Sequence, residues 1–252
     1  MQTIFYKLLF IIFFTITLFL APQALAADFD LYQNQGHKAE KWDSIVKAGF
    51  EAFDANDLET STIFLQKAYD KGCRDGLVLF KLGLNSELNK DYNQAIKFFK
   101  LATQKLEKQY PDYSQTKKIH EHLARVYYQS DQFDQALPEL ELALKNEPDS
   151  FMLLFMSAQI YRGKKNNGQA IEYYEKALKT NIPKDIPTAQ QTIWTELMTL
   201  YFEQGQLDLS SKYAQQILAF NPTDPTALSY QDAIQKMKYK QREQEAIKRI
   251  VQ

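Results

Sequence analysis

Apolar side chains recur three and four residues apart along most of the chain after residue 41, which is the spacing of one face of an α-helix. Two clear stripes are His120, Leu123, Ala124, Tyr127 and Trp194, Leu197, Met198, Tyr201. Short polar stretches with Asn, Asp or Gly separate the stripes and predict turns, at residues 56–57, 89–91, 130–131 and 205–206. The pattern predicts an all-α chain of short helix pairs, which must stack on their neighbours because one pair cannot bury its apolar face alone.

The N-terminus has a different pattern. An uncharged apolar run at residues 8–21 follows Lys7 and falls short of the roughly 20 residues that a membrane-spanning helix needs. Small residues follow it up to Ala26. This arrangement predicts a secretory signal peptide over residues 1–26, and therefore export to the periplasm or secretion. A buried N-terminal helix and an uncleaved inner-membrane anchor formed by residues 4–21 are the alternatives.

Similar segments recur in the rest of the chain at intervals of 34 residues or slightly more. Gln-Ala-Ile followed by two aromatic residues occurs at residues 94–99 and 169–174, and a related Gln-Ala-Leu begins at Gln135. Small residues occupy positions 8, 20 and 27 of most segments, and a bulky residue occupies position 24. Small side chains are expected where two helices approach closely. The last segment departs from this pattern with Met198, Ala214 and Ile217, a volume exchange that could preserve packing.

These residues resemble the tetratricopeptide repeat (TPR), a helix–turn–helix unit of about 34 residues. The resemblance implies a right-handed α-solenoid of about five repeats, at residues 42–75, 76–109, 117–150, 151–184 and 191–224. It leaves a flexible lead-in at residues 27–41, insertions at residues 110–116 and 185–190, and a C-terminal capping helix at residues 225–252.

In the TPR family, the first helix of each repeat (the A helix) lines a concave groove through positions 5, 9 and 12. We name the matching residues the A-helix face. They are Val46, Phe50, Phe53, Phe80, Leu84, Glu87, Glu121, Arg125, Tyr128, Phe155, Gln159, Arg162, Thr195, Thr199 and Phe202. The resemblance implies that a protein or peptide partner binds there, with aromatic side chains as anchors. The alternative is that the lead-in folds back over Phe50, Phe53 and Phe80.

The composition of the chain excludes several kinds of binding site. The 252 residues include 30 basic and 31 acidic side chains, a net charge of −1, so no general attraction to nucleic acid is expected. A single cysteine excludes an internal disulfide and a Cys-rich zinc site. Cys73 is expected either to fill a turn or to pair with another chain. His120 and His122 stand two apart on a predicted helix and point to different faces, so no metal site is expected.

Motifs for catalysis or for cofactor binding are absent from the sequence. Residues 163–168 superficially resemble a phosphate-binding loop, but no Ser or Thr follows the lysines, and a turn between two helices is the favoured interpretation. We therefore expect no enzyme activity and no cofactor.

The function predicted from the sequence is that of an exported protein- or peptide-binding scaffold or assembly factor. One alternative is a cell-envelope polymer (peptidoglycan or glycan) binding protein that uses Tyr, Arg and Gln of the A-helix face. Another is a membrane-tethered scaffold. The Lys and Arg side chains of the C-terminal helix are expected to form a solvated face, or else to contact an anionic envelope surface.

Overall fold

The computed structural model describes residues 26–34, 41–182 and 188–251. The predicted signal peptide lies outside these ranges except for Ala26, and part of the second insertion also lies outside them. Within these ranges the chain forms twelve α-helices and no strand. No helix there is both long enough and apolar enough to cross a membrane. The chain divides into two compact units, Met1–Pro148 (unit 1) and Asp149–Gln252 (unit 2).

The described part of unit 1 contains one short helix followed by three helix pairs. The short helix α1 is Ala26–Asn34, and the pairs are α2 (Asp43–Asp54) with α3 (Leu58–Asp70), α4 (Gly76–Leu88) with α5 (Tyr92–Gln109), and α6 (Ser114–Gln129) with α7 (Phe133–Asn146). The two helices of each pair pack together, α3 packs on α4, α5 packs on α6, and α1 packs on α2. The segment predicted as a lead-in is therefore helical over its described N-terminal part.

Unit 2 contains two helix pairs and a long final helix. The pairs are α8 (Phe151–Gly163) with α9 (Asn167–Leu178) and α10 (Ala189–Glu203) with α11 (Leu207–Phe220). The final helix α12, Pro225–Val251, occupies the segment that the sequence predicts as a capping helix. It packs on α11 through Ala227 and Ile234, whereas Tyr239 and Ile250 are exposed.

Close contact between the helices of a pair explains the small residues at position 8. A Cβ atom placed on Gly49 would lie 2.5 Å from the Leu65 side chain, and one placed on Gly83 would lie 2.6 Å from the Phe99 ring. Leu65 and Phe99 are the bulky residues at position 24, so positions 8 and 24 pack face to face, as the repeat pattern predicts.

The turn between the two helices of each pair has the same backbone geometry in all five repeats. Position 15 has a positive φ in each, between 58° and 72°. The residues are Asn56, Lys90, Asp131, Lys165 and Gly205. This left-handed conformation ends one helix and redirects the chain into the next.

Residues 163–168 form one of these turns. Lys165 has a φ of 58°, and the side chain of Asn166 accepts a hydrogen bond of 3.3 Å from the backbone N–H of Gln169 at the start of α9. The equivalent cap in two other repeats is an aspartate, Asp57 or Asp91. Because the segment serves as a helix cap in the way that its equivalents do, its favoured interpretation as a turn is confirmed.

We expect Gly83→Ala to destabilise unit 1 by about 1–3 kcal/mol, because the added methyl group overlaps the Phe99 ring in a packed core. The matched control is Gly163→Ala, where a Cβ would meet no atom within 4 Å, and we expect it to change stability by less than about 0.5 kcal/mol or to stabilise slightly. Urea unfolding followed by circular dichroism measures both changes. Equal effects of the two substitutions would contradict the packing account.

Candidate functional site

Helix α1 lies against the A-helix face of unit 1. The rings of Phe29 and Tyr32 pack on Phe50, with centroid separations of 6.1 and 6.2 Å, and Phe50 is fully buried. The hydroxyl of Tyr32 donates a hydrogen bond of 2.8 Å to Asp43 Oδ1 at the start of α2. Burial and then this hydrogen bond raise the pKa of Tyr32, so the phenol remains a donor. The lead-in therefore folds back over Phe50, which was one of the two predictions for this part of the face.

Beneath α1 lies a buried ammonium group, that of Lys81 in α4. Its Nζ is 3.0 Å from Asp28 Oδ2 and 3.9 Å from Asp54 Oδ1, and the side chain is 2% exposed. The same Nζ lies 4.0 Å from the ring centroid of Phe53 and 5.0 Å from that of Phe50. A charged group is tolerated at such depth only where carboxylates and aromatic faces replace its water.

Asp28 of α1 contacts two groups, Lys81 of the second helix pair and Tyr113 at the start of the third. Its Oδ2 faces Lys81 in the second pair and also accepts a hydrogen bond of 3.0 Å from the hydroxyl of Tyr113, which immediately precedes α6 of the third pair. Asp54, the other carboxylate beside Lys81, ends α2 of the first pair. One carboxylate of the N-terminal helix therefore joins a network that reaches all three pairs of unit 1.

Phe80 lies in the core of unit 1 and not on an accessible surface. It is 2% exposed, and the rings of Tyr113 and His122 lie against it at centroid separations of 6.4 and 5.3 Å. Val46 and Phe53 are buried as well, whereas Leu84 is half-buried. Of the apolar residues predicted to form the groove in unit 1, Leu84 is thus the accessible one.

Glu87 and Arg125, two further residues of the face, pair with each other. Arg125 Nε donates to Glu87 Oε1 at 2.6 Å, and Nη2 donates to Oε2 at 3.2 Å. His122 Nδ1 lies 3.1 Å from the same carboxylate, and Arg125 also donates to the half-buried Glu121 at 3.3 Å. Burial raises the pKa of Glu87, but Arg125 and His122 outweigh burial and hold that pKa at about 2.

Tyr128 completes the face in unit 1. It is 6% exposed and packs against Phe133 of α7 at a centroid separation of 5.8 Å. Its ring is therefore part of the core of the third pair.

In unit 2 the A-helix face is more open. Phe155 is buried and packs on Tyr174. The other predicted residues there are half-buried: Gln159, Arg162, Thr195, Thr199 and Phe202. The ring of Phe202 lies edge-on to Tyr230 of α12, with centroids 5.0 Å apart. This part of the face presents both polar and aromatic groups to solvent.

Arg162 is the most strongly bonded of these residues. Its two Nη atoms donate to the two carboxylate oxygens of Glu203 at 2.8 Å each, and Nε donates to Glu196 at 3.3 Å. Asn167 donates to Glu203 at 3.0 Å. The hydrogen bond from Arg162 lowers the pKa of Glu203. Both arginines of the A-helix face are thus held by carboxylates of a neighbouring helix pair in their own unit.

Cys73 and His120 are also engaged in the fold. Cys73 is 1% exposed, and burial raises the pKa of its thiol to about 11, which makes it unreactive at neutral pH. This favours the interpretation that Cys73 fills a turn. His120 Nδ1 lies 2.6 Å from Glu139 Oε2. In the described ranges no three His, Cys, Asp or Glu side chains are grouped so as to hold a metal ion.

The predicted site did not include four residues that form the charged clusters of unit 1: Asp28, Lys81, Tyr113 and His122. The sequence contains a signal for one of them, because Lys81 is the only charged residue between Gly76 and Leu84. Tyr113 belongs to the first insertion, where the helix ends at Gln109 and the next begins at Ser114. Its role depends on a contact with a residue 85 positions away, which periodicity does not report.

Residues 122–186 match the tetratricopeptide repeat family model, a stretch that covers most of the third predicted repeat and all of the fourth. No curated protein sequence matches the chain significantly. The sequence match supports the TPR resemblance in these two repeats.

Solved structures extend this likeness to most of the chain. The crystal structure of YrrB, described as a TPR protein with an unusual peptide-binding site, matches with a TM-score of 0.56 and 13% identity over 75% of this chain and 90% of that one. MamA from Desulfovibrio magneticus RS-1 matches with a TM-score of 0.54 and 15% identity over 75% and 99%. MamA AMB-1 matches with a TM-score of 0.58 and 15% identity over 73% and 93%. The fold is therefore an all-α solenoid of TPR-like repeats.

We expect Glu87→Gln to destabilise unit 1 by about 3 kcal/mol at neutral pH, because it leaves the guanidinium of Arg125 without its closest buried carboxylate. The matched control is Glu121→Gln, which removes a more exposed partner of the same arginine and is expected to cost less than about 1 kcal/mol. Chemical denaturation measures both.

The effect of Glu87→Gln should also depend on pH. The pKa of Glu87 is about 2 in the folded chain against 4.5 for the free side chain, so its contribution is complete above about pH 4.5 and is lost as pH falls towards 2. The difference in unfolding free energy between the wild type and Glu87→Gln should shrink over this range. A difference that stays constant down to pH 2 would contradict the ion-pair account.

Proposed function

We propose that this chain is an exported, non-enzymatic scaffold that binds a protein or peptide segment on its A-helix face. The observation that carries the proposal is the position of α1. A short helix from outside the repeats lies on the A-helix face of unit 1, held by two aromatic rings and one carboxylate. The face therefore has the shape and chemistry to accept a helical segment.

The comparisons agree with a binding role. YrrB, whose fold this chain shares, is described as having a peptide-binding site. Repeat stacks of this kind use extended surfaces for recognition, and the half-buried Thr199 and Phe202 of unit 2 offer such a surface here.

Glycan binding receives less support from the geometry. It would require an exposed aromatic platform beside free arginines, but Tyr128 is 6% exposed and Arg125 and Arg162 are bound to carboxylates. We therefore place protein or peptide binding ahead of envelope-polymer binding.

Export rests on the N-terminal sequence. If residues 1–26 are a signal peptide, the protein recovered from the cell envelope or medium should begin at Ala27, and its intact mass should be that of residues 27–252. A protein that retains residues 1–26 and fractionates with the inner membrane would instead support the tethered alternative.

Photo-crosslinking in cells tests the binding role directly. A benzophenone amino acid placed at Leu84 or Thr199, both half-buried on the A-helix face, should yield one discrete crosslinked product that mass spectrometry identifies as a protein. The matched controls are Gln104 in α5 and Glu172 in α9, both exposed on the second helix of a pair. Products that are equal at face and control positions, or absent from both face positions, would contradict the proposal.

A further inference from the structure

Four of the described side chains of helix α1 are buried or half-buried on unit 1. It has nine residues, and a helix this short is not stable alone in water, so its order depends on docking. Asp28 and Tyr32 are its buried described side chains, and Phe29 and Leu31 are half-buried. A segment this short, with two buried side chains among those described, can open locally while the rest of the fold remains intact.

The surface under α1 requires particular chemical groups from any segment that occupies it. If α1 leaves, the ammonium of Lys81 loses the carboxylate at 3.0 Å and, among the described residues, keeps the carboxylate of Asp54 at 3.9 Å and the ring faces of Phe53 and Phe50. Tyr113 loses the acceptor of its hydroxyl, and Phe50 loses two aromatic neighbours. An occupant must therefore supply one carboxylate that accepts from both an ammonium and a phenol, and aromatic groups beside it.

The spacing of these groups follows from α1 itself. The carboxylate is at Asp28 and the aromatic rings are one and four residues later, at Phe29 and Tyr32. Tyr32 lies four residues after Asp28 and three after Phe29, and both spacings place residues as neighbours on the surface of a helix. Asp30 is exposed and does not enter this site. The site therefore requires an acidic residue at the position of Asp28 and not two residues later.

We propose that the A-helix face of unit 1 is a binding site for a partner helix that carries an acidic residue followed by aromatic residues at positions +1 and +4, and that α1 occupies this site in the free protein as an internal ligand. This inference rests on the proposed binding function and names the class of its partner. A partner must displace α1, whose attachment to the chain gives it an effective concentration of roughly millimolar at the site.

The direct test uses the full chain and a synthetic peptide. The variant Asp28→Lys/Tyr32→Ala places a lysine against Lys81 and removes a ring, which should release α1 and leave the receiving face unchanged. The probe is a fluorescein-labelled, N-acetylated peptide of residues 27–34, titrated by anisotropy. We expect it to bind the released variant at least about tenfold more tightly than the wild type, because the wild-type site is already occupied.

Matched peptides test the chemistry. Asp28→Asn in the peptide should weaken binding to the released variant by about tenfold or more, whereas Asp30→Asn should change it by less than about twofold. Lys81→Met in the released variant should remove this preference for an acid at position 28. Equal losses from the two peptide substitutions, or no binding up to about 1 mM peptide, would overturn the inference.

A second measurement needs no substitution. In the wild-type chain, hydrogen exchange in α1 should accelerate when unlabelled peptide is added in excess, while amides of α4 remain protected. If exchange in α1 does not respond, or α1 and α4 open together, then α1 is a permanent part of unit 1 and the inference is wrong. Such a failure leaves the crosslinking at Thr199 in unit 2 as an independent test of the binding function.

Discussion

The close approach of two helices within each repeat is the constraint on which the structure depends. Gly49 and Gly83 leave no room for even a methyl group beside Leu65 and Phe99. The distance between paired helices follows from this contact, and so does the surface that each pair offers to the next. In the last repeat Met198 and Ala214 occupy the corresponding positions, and both are fully buried. The exchange of a small residue for a large one keeps the position filled, as expected for a core that conserves volume.

The fold could be predicted from the sequence because its determinants are local and recur. The small and bulky positions lie 16 residues apart in one repeat, as Gly83 and Phe99 do, and the turn between them uses one left-handed residue in every repeat. Each repeat therefore supplies independent evidence for the same unit. The residues predicted to face a groove also lie on the A helices, but their accessibility could not be predicted, because burial depends on what the rest of the chain places over them. Phe80 is covered by Tyr113 of the insertion and by His122 of the next repeat, and neither contact follows from helical period.

The placement of buried charges is a second feature of the structure that the sequence could not predict. Lys81 and Glu87 are both almost completely buried, although an isolated charge at that depth would be strongly destabilising. Each is tolerated because its partners come from different elements: α1 and α2 for Lys81, and α6 for Glu87. The interactions therefore act between repeats, and they give unit 1 charged links across the interfaces between its helix pairs. The sequence shows that such charges exist, but their partners are defined only by the tertiary structure.

These ion pairs also affect which partners could bind the A-helix face. Because the charged groups of the A-helix face are already paired, a ligand gains little from simple attraction and must replace an existing bond to bind. Arg162 would have to give up a bidentate contact with Glu203, and Lys81 would have to exchange one carboxylate for another. A ligand that fails to supply the replacement leaves a buried group unpaired, at a cost of several kcal/mol. In the proposed binding role, selectivity on such a face would come from the penalty imposed on incorrect partners, and the permitted partners would be those whose groups reproduce the bonds that the protein makes with itself.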